Sequence, residues 1–191
     1  MWTSEEFGQE HTGQPGVLLA DGTEPGPVYF DAGSGPTVHR STDWWVYDGT
    51  LDAPIAAELR AACSCGWRGT TRYPLDWTVA DSRHPYAYDT TGPEGDWDTH
   101  LAEVRARTVP VPADLAALIE QLDRRLATLV SEEPLAALRV GAGLERLAAT
   151  TATEAALRID PADAQWETIG RALGISEQAA HARLARYALR G

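Results

Sequence analysis

The segment WETIGRALGISEQAAHARLAR, residues 166–186, constrains the fold more tightly than any other part of the chain. Ile169 and Leu173 lie one helical turn apart and predict an inward face, and Gly170 between them allows a second helix to approach closely. Gly174 suits the left-handed conformation that ends a helix. Ile175 plugs the junction, and Ser176 is a fitting N-cap for a second helix. In that second helix Ala180 and Leu184 repeat the inward face, while Gln178, His181 and Ala182 point away. A helix, a tight turn and a helix with a polar outer face form the layout of a helix-turn-helix, which makes DNA the first partner to consider.

A second helix of this kind fits the major groove and offers three or four side chains to base edges. Gln178 can read adenine through two hydrogen bonds, and Glu177 can accept from cytosine. Arg171, Arg183 and Arg186 suit phosphate contacts, and His181 can donate to a phosphate or a base. The segment resembles the helix-turn-helix at the C-terminal end of sigma factors and related bacterial regulators. The matching residues are Ile169-Gly-Arg-Ala-Leu-Gly-Ile-Ser-Glu177 and Arg183-Leu-Ala-Arg186. It also resembles an actinobacterial version of that unit, in which Trp-Glu-x-Ile-Gly-x-Ala-Leu-Gly-x-Ser-x-Gln-Ala-Ala-His corresponds to Trp166–His181. The resemblance covers about 145–190 and implies DNA contacts from Glu177, Gln178, His181, Arg183 and Arg186. Nothing before residue 140 matches the polymerase-binding or promoter-melting parts of a sigma factor.

Charge works against DNA binding by the chain as a whole. The net formal charge is −12, and every one of the 16 basic residues is arginine. The excess acid lies in residues 1–141, whereas 142–191 balance at six acids and six arginines. Phosphate is repelled at long range by such a protein. Neutrality at the C-terminus leaves room for local contact, with modest affinity unless a dimer or a second protein assists.

Cys63-Ser-Cys65-Gly66-Trp67 is the second informative motif. Two cysteines around a glycine turn can offer two thiolates to one metal, and zinc would take two further ligands, usually His or Cys. No other cysteine exists; the histidines are His11, His39, His84, His100 and His181. Buried or free thiols and a catalytic or redox role are the alternative readings of the pair. Cys-x-Cys-Gly-Trp, followed by a helix bearing Trp97-Asp-Thr-His100, resembles an uncharacterised module of actinobacterial proteins. That resemblance implies Cys63, Cys65 and His100 as three ligands, with His39 or His84 as the fourth. A bound zinc would supply much of the folding energy of a small irregular module.

The remaining pattern predicts an α+β chain: a small strand-rich N-terminal module, central helices and a C-terminal helix-turn-helix domain. Residues 1–27, rich in Gly, Pro, Glu and Thr, read as a flexible arm or as surface loops. Residues 28–109 form the strand-rich module with the possible zinc site, with strands at Val28–Phe30, Trp44–Tyr47 and Ala61–Cys63 and a helix starting at Asp96. Residues 110–143 supply connecting or dimerising helices. There Leu115, Leu118, Ile119, Leu122, Leu126 and Leu129 draw an apolar stripe along a helix over 113–129. A further helix over 135–159 has a weak point at Gly141 and Gly143 and is closed by Pro161, and the last domain spans 144–191.

The aromatic residues between Trp44 and Trp77 read as core plus a flat protein-binding surface. Asp76, Asp81, Asp89, Asp96 and Asp98 read as surface charge. No phosphate-binding glycine loop, nucleophile elbow or His-Glu metalloprotease helix is present, and Asp43 near His39 is a pair common by chance. The expectation is therefore a non-enzymatic DNA-binding regulator, or else an accessory factor that turns the same helices toward a protein. With no membrane span and no secretory signal pattern, a cytoplasmic location is expected.

Overall fold

A computed structural model describes residues 1–30, 39–160, 162 and 165–189. The chain divides into two compact units, Met1–Ala106 and Arg107–Gly191. It is a mixed α+β chain with its strands in the first half and most of its helix in the second. Among the described residues no helix is long and apolar enough to cross a membrane.

The first unit is built on an antiparallel sheet of β1 (Trp2–Ser4), β2 (Gly8–Leu18), β5 (Glu58–Cys63) and β6 (Tyr73–Pro74), in that order across the sheet. A separate ribbon pairs β3 (Val28–Phe30) with β4 (His39–Ser41). Where the sequence suggested a flexible arm, the structure therefore has two strands, and β2 lies inside the sheet. The register pairs Gly13 with Cys63, Pro15 with Ala61 and Val17 with Leu59. Because side chains alternate along a strand, His11, Gly13, Pro15 and Val17 share one face with Leu59, Ala61 and Cys63. That face is the buried one.

Its two ends are covered differently. Over one end Val17 and Leu59 pack with Trp44, Tyr47, Ala56 and Leu75. Trp44–Val46 is a 3₁₀ turn rather than the expected strand. The reason lies in the four apolar residues Trp44-Trp-Val-Tyr47: a three-residue period puts Trp44 and Tyr47 on one side, and both are buried. Over the other end lies α1 (Thr91–Arg107), which presents Trp97 and Leu101 to Ala61 and Cys63. The helix sits close: a Cβ at Gly13 would lie 2.6 Å from the rings of both Trp2 and Trp97.

α1 begins five residues earlier than the sequence suggested. Asp89 accepts hydrogen bonds from the N–H and hydroxyl of Thr91, which turns the chain into the helix. Asp21, Asp48 and Asp76 hold Thr23, Thr50 and Thr78 in the same way, so several of the acids are turn anchors. Side chains of this length mimic a backbone turn.

The second unit is all helix: α2 (Ala113–Glu132), α3 (Pro134–Leu157), α4 (Trp166–Leu173) and α5 (Glu177–Ala188). α2 and α3 form a hairpin, α5 packs on α3, and α4 packs on α5. Gly141 and Gly143 do not interrupt α3. A glycine weakens a helix by only about 1 kcal/mol relative to alanine, and the alanines and leucines around them carry the helix through. Pro161 lies outside the described residues.

Candidate metal centre and the α4–α5 turn

Two strands and a helix bring His11, Cys63, Cys65 and His100 to one point. The Gly13–Cys63 pairing places His11, two residues before Gly13 on β2, diagonal to Cys63 on the same face. After β5 the chain reverses within Cys63–Gly66, where the Gly66 N–H donates to the Cys63 carbonyl and Gly66 takes a φ of 96°. That conformation is cheap only for glycine. Ser64, between the cysteines, points to the opposite side and locks the turn onto β2. Its N–H donates to the Thr12 carbonyl, and its hydroxyl accepts from the Thr12 N–H at 2.9 Å and donates to the Glu10 carbonyl at 3.0 Å. Cys63 and Cys65 are thereby held facing α1. In α1, Trp97, His100 and Leu101 follow the i, i+3, i+4 pattern of one helical face, and all three are buried.

The Cys63 Sγ lies 3.4 Å from His11 Nδ1, and the Cys65 Sγ lies 3.4 Å from His100 Nε2. One donor atom from each of the four residues falls within 4.8 Å of every other. A tetrahedral zinc with Zn–S of about 2.3 Å and Zn–N of about 2.0 Å requires S···N edges of about 3.5 Å. The donor set and its spacing therefore fit a metal ion. Trp67 stacks on the His100 ring at 4.2 Å between centroids and 10° between planes, which fixes the ring's orientation. Phe7 packs against His11 at 5.2 Å.

The electrostatics follow from two neighbouring sulfurs, Cys63 buried and Cys65 half-buried. The Cys63 thiol is pulled well below its ordinary range because the Cys65 S–H donates to it, with His11 adding to the effect. Cys65 is pushed far up because it is the donor to Cys63 and is itself desolvated. Burial pulls His100 below its usual range, which favours the neutral, ligating imidazole. A divalent cation held by both sulfurs would displace their remaining thiol proton.

The fourth donor at this point is His11, where the sequence motif points to His39 or His84. The side chain of His39 lies outside the described part of the structure, and its backbone belongs to β4. His84 is exposed and pairs with Asp81 at 2.8 Å. Asp43 accepts a hydrogen bond from the Ser41 hydroxyl at 2.7 Å, which gives that carboxylate a local structural partner.

In the second unit α4 and α5 are joined by a tight turn. Gly174 takes a φ of 66°, and its N–H reaches back to the carbonyls of Gly170 and Arg171. The Ser176 hydroxyl caps α5 by accepting from the Ala179 N–H at 3.1 Å. A Cβ at Gly170 would meet the Ile175 carbonyl oxygen at 2.9 Å and the Glu177 nitrogen at 3.1 Å, so only glycine lets the turn close on α4. Ala180 and Leu184 are buried. Leu173, expected to face inward, is 41% exposed. It is the last residue of α4, and Gly170 one turn earlier makes the close approach.

Glu177, Gln178 and His181 are exposed on the first turns of α5, and Arg186 is exposed further along. His181 meets the Trp166 ring edge-on at 4.8 Å. Arg171 is paired with Glu167 at 2.7 Å one turn away on α4. Arg183 is half-buried and has an interaction of its own, and the Arg186 guanidinium lies 5.5 Å from the centre of the Tyr187 ring.

The two units differ sharply in charge. Met1–Ala106 carries a net −11, and Arg107–Gly191 a net −1. No protein-family model, curated protein or solved structure matches the chain.

Proposed function

We propose that the chain is a cytoplasmic transcription regulator that binds double-stranded DNA through α5, with its first unit stapled by one zinc ion. The observation that carries the DNA reading is the first half of α5. Glu177, Gln178 and His181 stand exposed there, while Ala180 and Leu184 anchor the helix from behind. A helix about 10–12 Å across with its side chains matches a major groove about 12 Å wide. Gln178 then reads a base edge, Glu177 and His181 flank it, and Arg183 and Arg186 contact phosphate. The exposed Arg171–Glu167 pair contributes little to stability, so Arg171 is available to exchange its carboxylate for a phosphate.

His11, Cys63, Cys65 and His100 would hold the zinc. Four protein ligands leave no open position for a substrate, so the ion ties β2, the Cys63–Gly66 turn and α1 together and does no chemistry of its own. Two unpaired cysteines suit a reducing compartment.

A second reading turns α5 toward a protein partner. The net charge of −12 favours it, since long-range repulsion lowers affinity for any polyanion. Selection of bound sequences from a random duplex pool, at low and at physiological salt, separates the two. Enrichment of one sequence that survives physiological salt supports the DNA reading, and Gln178→Ala should then relax preference at one base pair by about 1–3 kcal/mol. Absence of retention, or weak retention lost with salt, favours the protein partner.

A further inference from the structure

The α2–α3 hairpin leaves much of its apolar surface exposed. α2 carries its apolar stripe at helical spacing, yet it contains no buried residue. A Cβ at Gly141 would meet nothing within 4 Å and one at Gly143 only the Arg146 side chain, so α3 makes no close contact with α2 at these two positions. Only Leu126 and Leu129 of the stripe are half-buried. Leu118 stays 58% exposed and Leu122 37%, and on α3 Val140 stays 39% and Leu147 64% exposed. Advancing about 100° per residue from the line where the helices touch places these four on the same broad side of the hairpin.

We infer that this side pairs with the same side of a second copy of the chain, so that two hairpins complete a four-helix bundle. Such a bundle is the ordinary way for helices with wide apolar faces to finish a core. Size supports this occupant. The hairpin face is about 30 Å long and, with axes 8–10 Å apart, about 20 Å wide. Pairing would remove about 1,200 Å² in total, the lower bound for specific, stable interfaces. Charge does not oppose it, because the second unit is nearly neutral and the repelling acid belongs to the first. The four side chains named are uncharged, so a twofold axis brings apolar surface onto apolar surface. The pairing does not depend on what α5 contacts.

The test is sedimentation equilibrium of the full chain over a range of concentrations. Leu118→Glu combined with Leu147→Glu serves as the perturbation and Arg124→Glu, on the outward side of α2, as the control. The wild type and the Arg124 variant should be dimeric with one shared dissociation constant. The double variant should raise that constant about 100-fold or more, since it places carboxylates in an apolar contact. Leu118 and Leu147 are mostly exposed within one copy, so unchanged helical circular dichroism is expected and shows that the variant is folded. A wild type that stays monomeric at every concentration would overturn the inference. So would a dimer that the double variant leaves intact, since that dimer would use another surface. If the double variant loses helix, Leu118→Gln alone should still weaken the dimer, and a dimer it leaves unweakened counts against the inference.

Discussion

Removing His11 should abolish the protein's thermal response to zinc, and the size of that response can be worked out in advance. His11 is 3% exposed and supplies one of four donors that converge within 4.8 Å. A ligand that binds only the folded state stabilises it by about 4.1 kcal/mol when its free concentration is a thousand times the dissociation constant. The unit that holds the site runs from Met1 to Ala106. At about 2.1 cal/mol/K per residue its unfolding entropy is about 0.22 kcal/mol/K. Zinc buffered at that level should therefore raise the melting temperature of this unit by about 18 °C. In His11→Ala the shift should fall to a few degrees or vanish, because three ligands and water bind far more weakly.

Calorimetric melts with and without buffered zinc read this directly. Cobalt loading gives a second readout, the intense absorption of a tetrahedral thiolate site, which should disappear in the variant. His84→Ala serves as the control, since that residue is exposed and tied to Asp81, and it should keep the full shift. A His11→Ala protein that gains as much from zinc as the wild type would refute the four-ligand reading. Equal loss in His84→Ala would move the fourth ligand elsewhere.

Three further outcomes follow from local geometry. Gly170→Ala should destabilise the second unit by about 1–3 kcal/mol in a thermal or urea melt, because its Cβ would meet backbone at 2.9 Å that cannot move without opening the turn. Ser176→Ala should cost about 1 kcal/mol through loss of the α5 cap, measured the same way, while Glu177→Gln should change stability by less. Asp21, Asp76 and Asp89 are each held below the ordinary carboxylate range by hydrogen bonds from the threonine two residues on. A depressed carboxylate contributes stability that is complete above its unfolded pKa, near 4, and is lost as pH falls through the folded value. Acid titration of the first unit should show its loops loosening below about pH 4, and Asp-to-Asn variants should remove that step.

Features with local causes were legible before any packing was known. Gly174 in a left-handed turn, Ser176 as a cap and Ala180 and Leu184 as inward positions were legible because each depends on residues within one or two turns. The long helices were legible because their apolar residues recur at three and four. The pairing of Cys63 and Cys65 with His100 needed more than spacing, and came from a resemblance.

The tertiary structure alone decided the rest. β2 was not visible as a strand because its inward positions are His11, Gly13, Pro15 and Val17, only one of which favours a strand. Those positions read as loop until β5 and the Trp97 ring are laid against them. His11 became a candidate ligand for the same reason: it is 52 residues from Cys63 and reaches it only through the β2–β5 register. Registry between distant strands is fixed by which faces bury together, and no window of sequence contains that information. The uncovered side of α2 is the reverse case. The stripe was plain in the sequence, but that it stays largely exposed could be learned only from the packed hairpin.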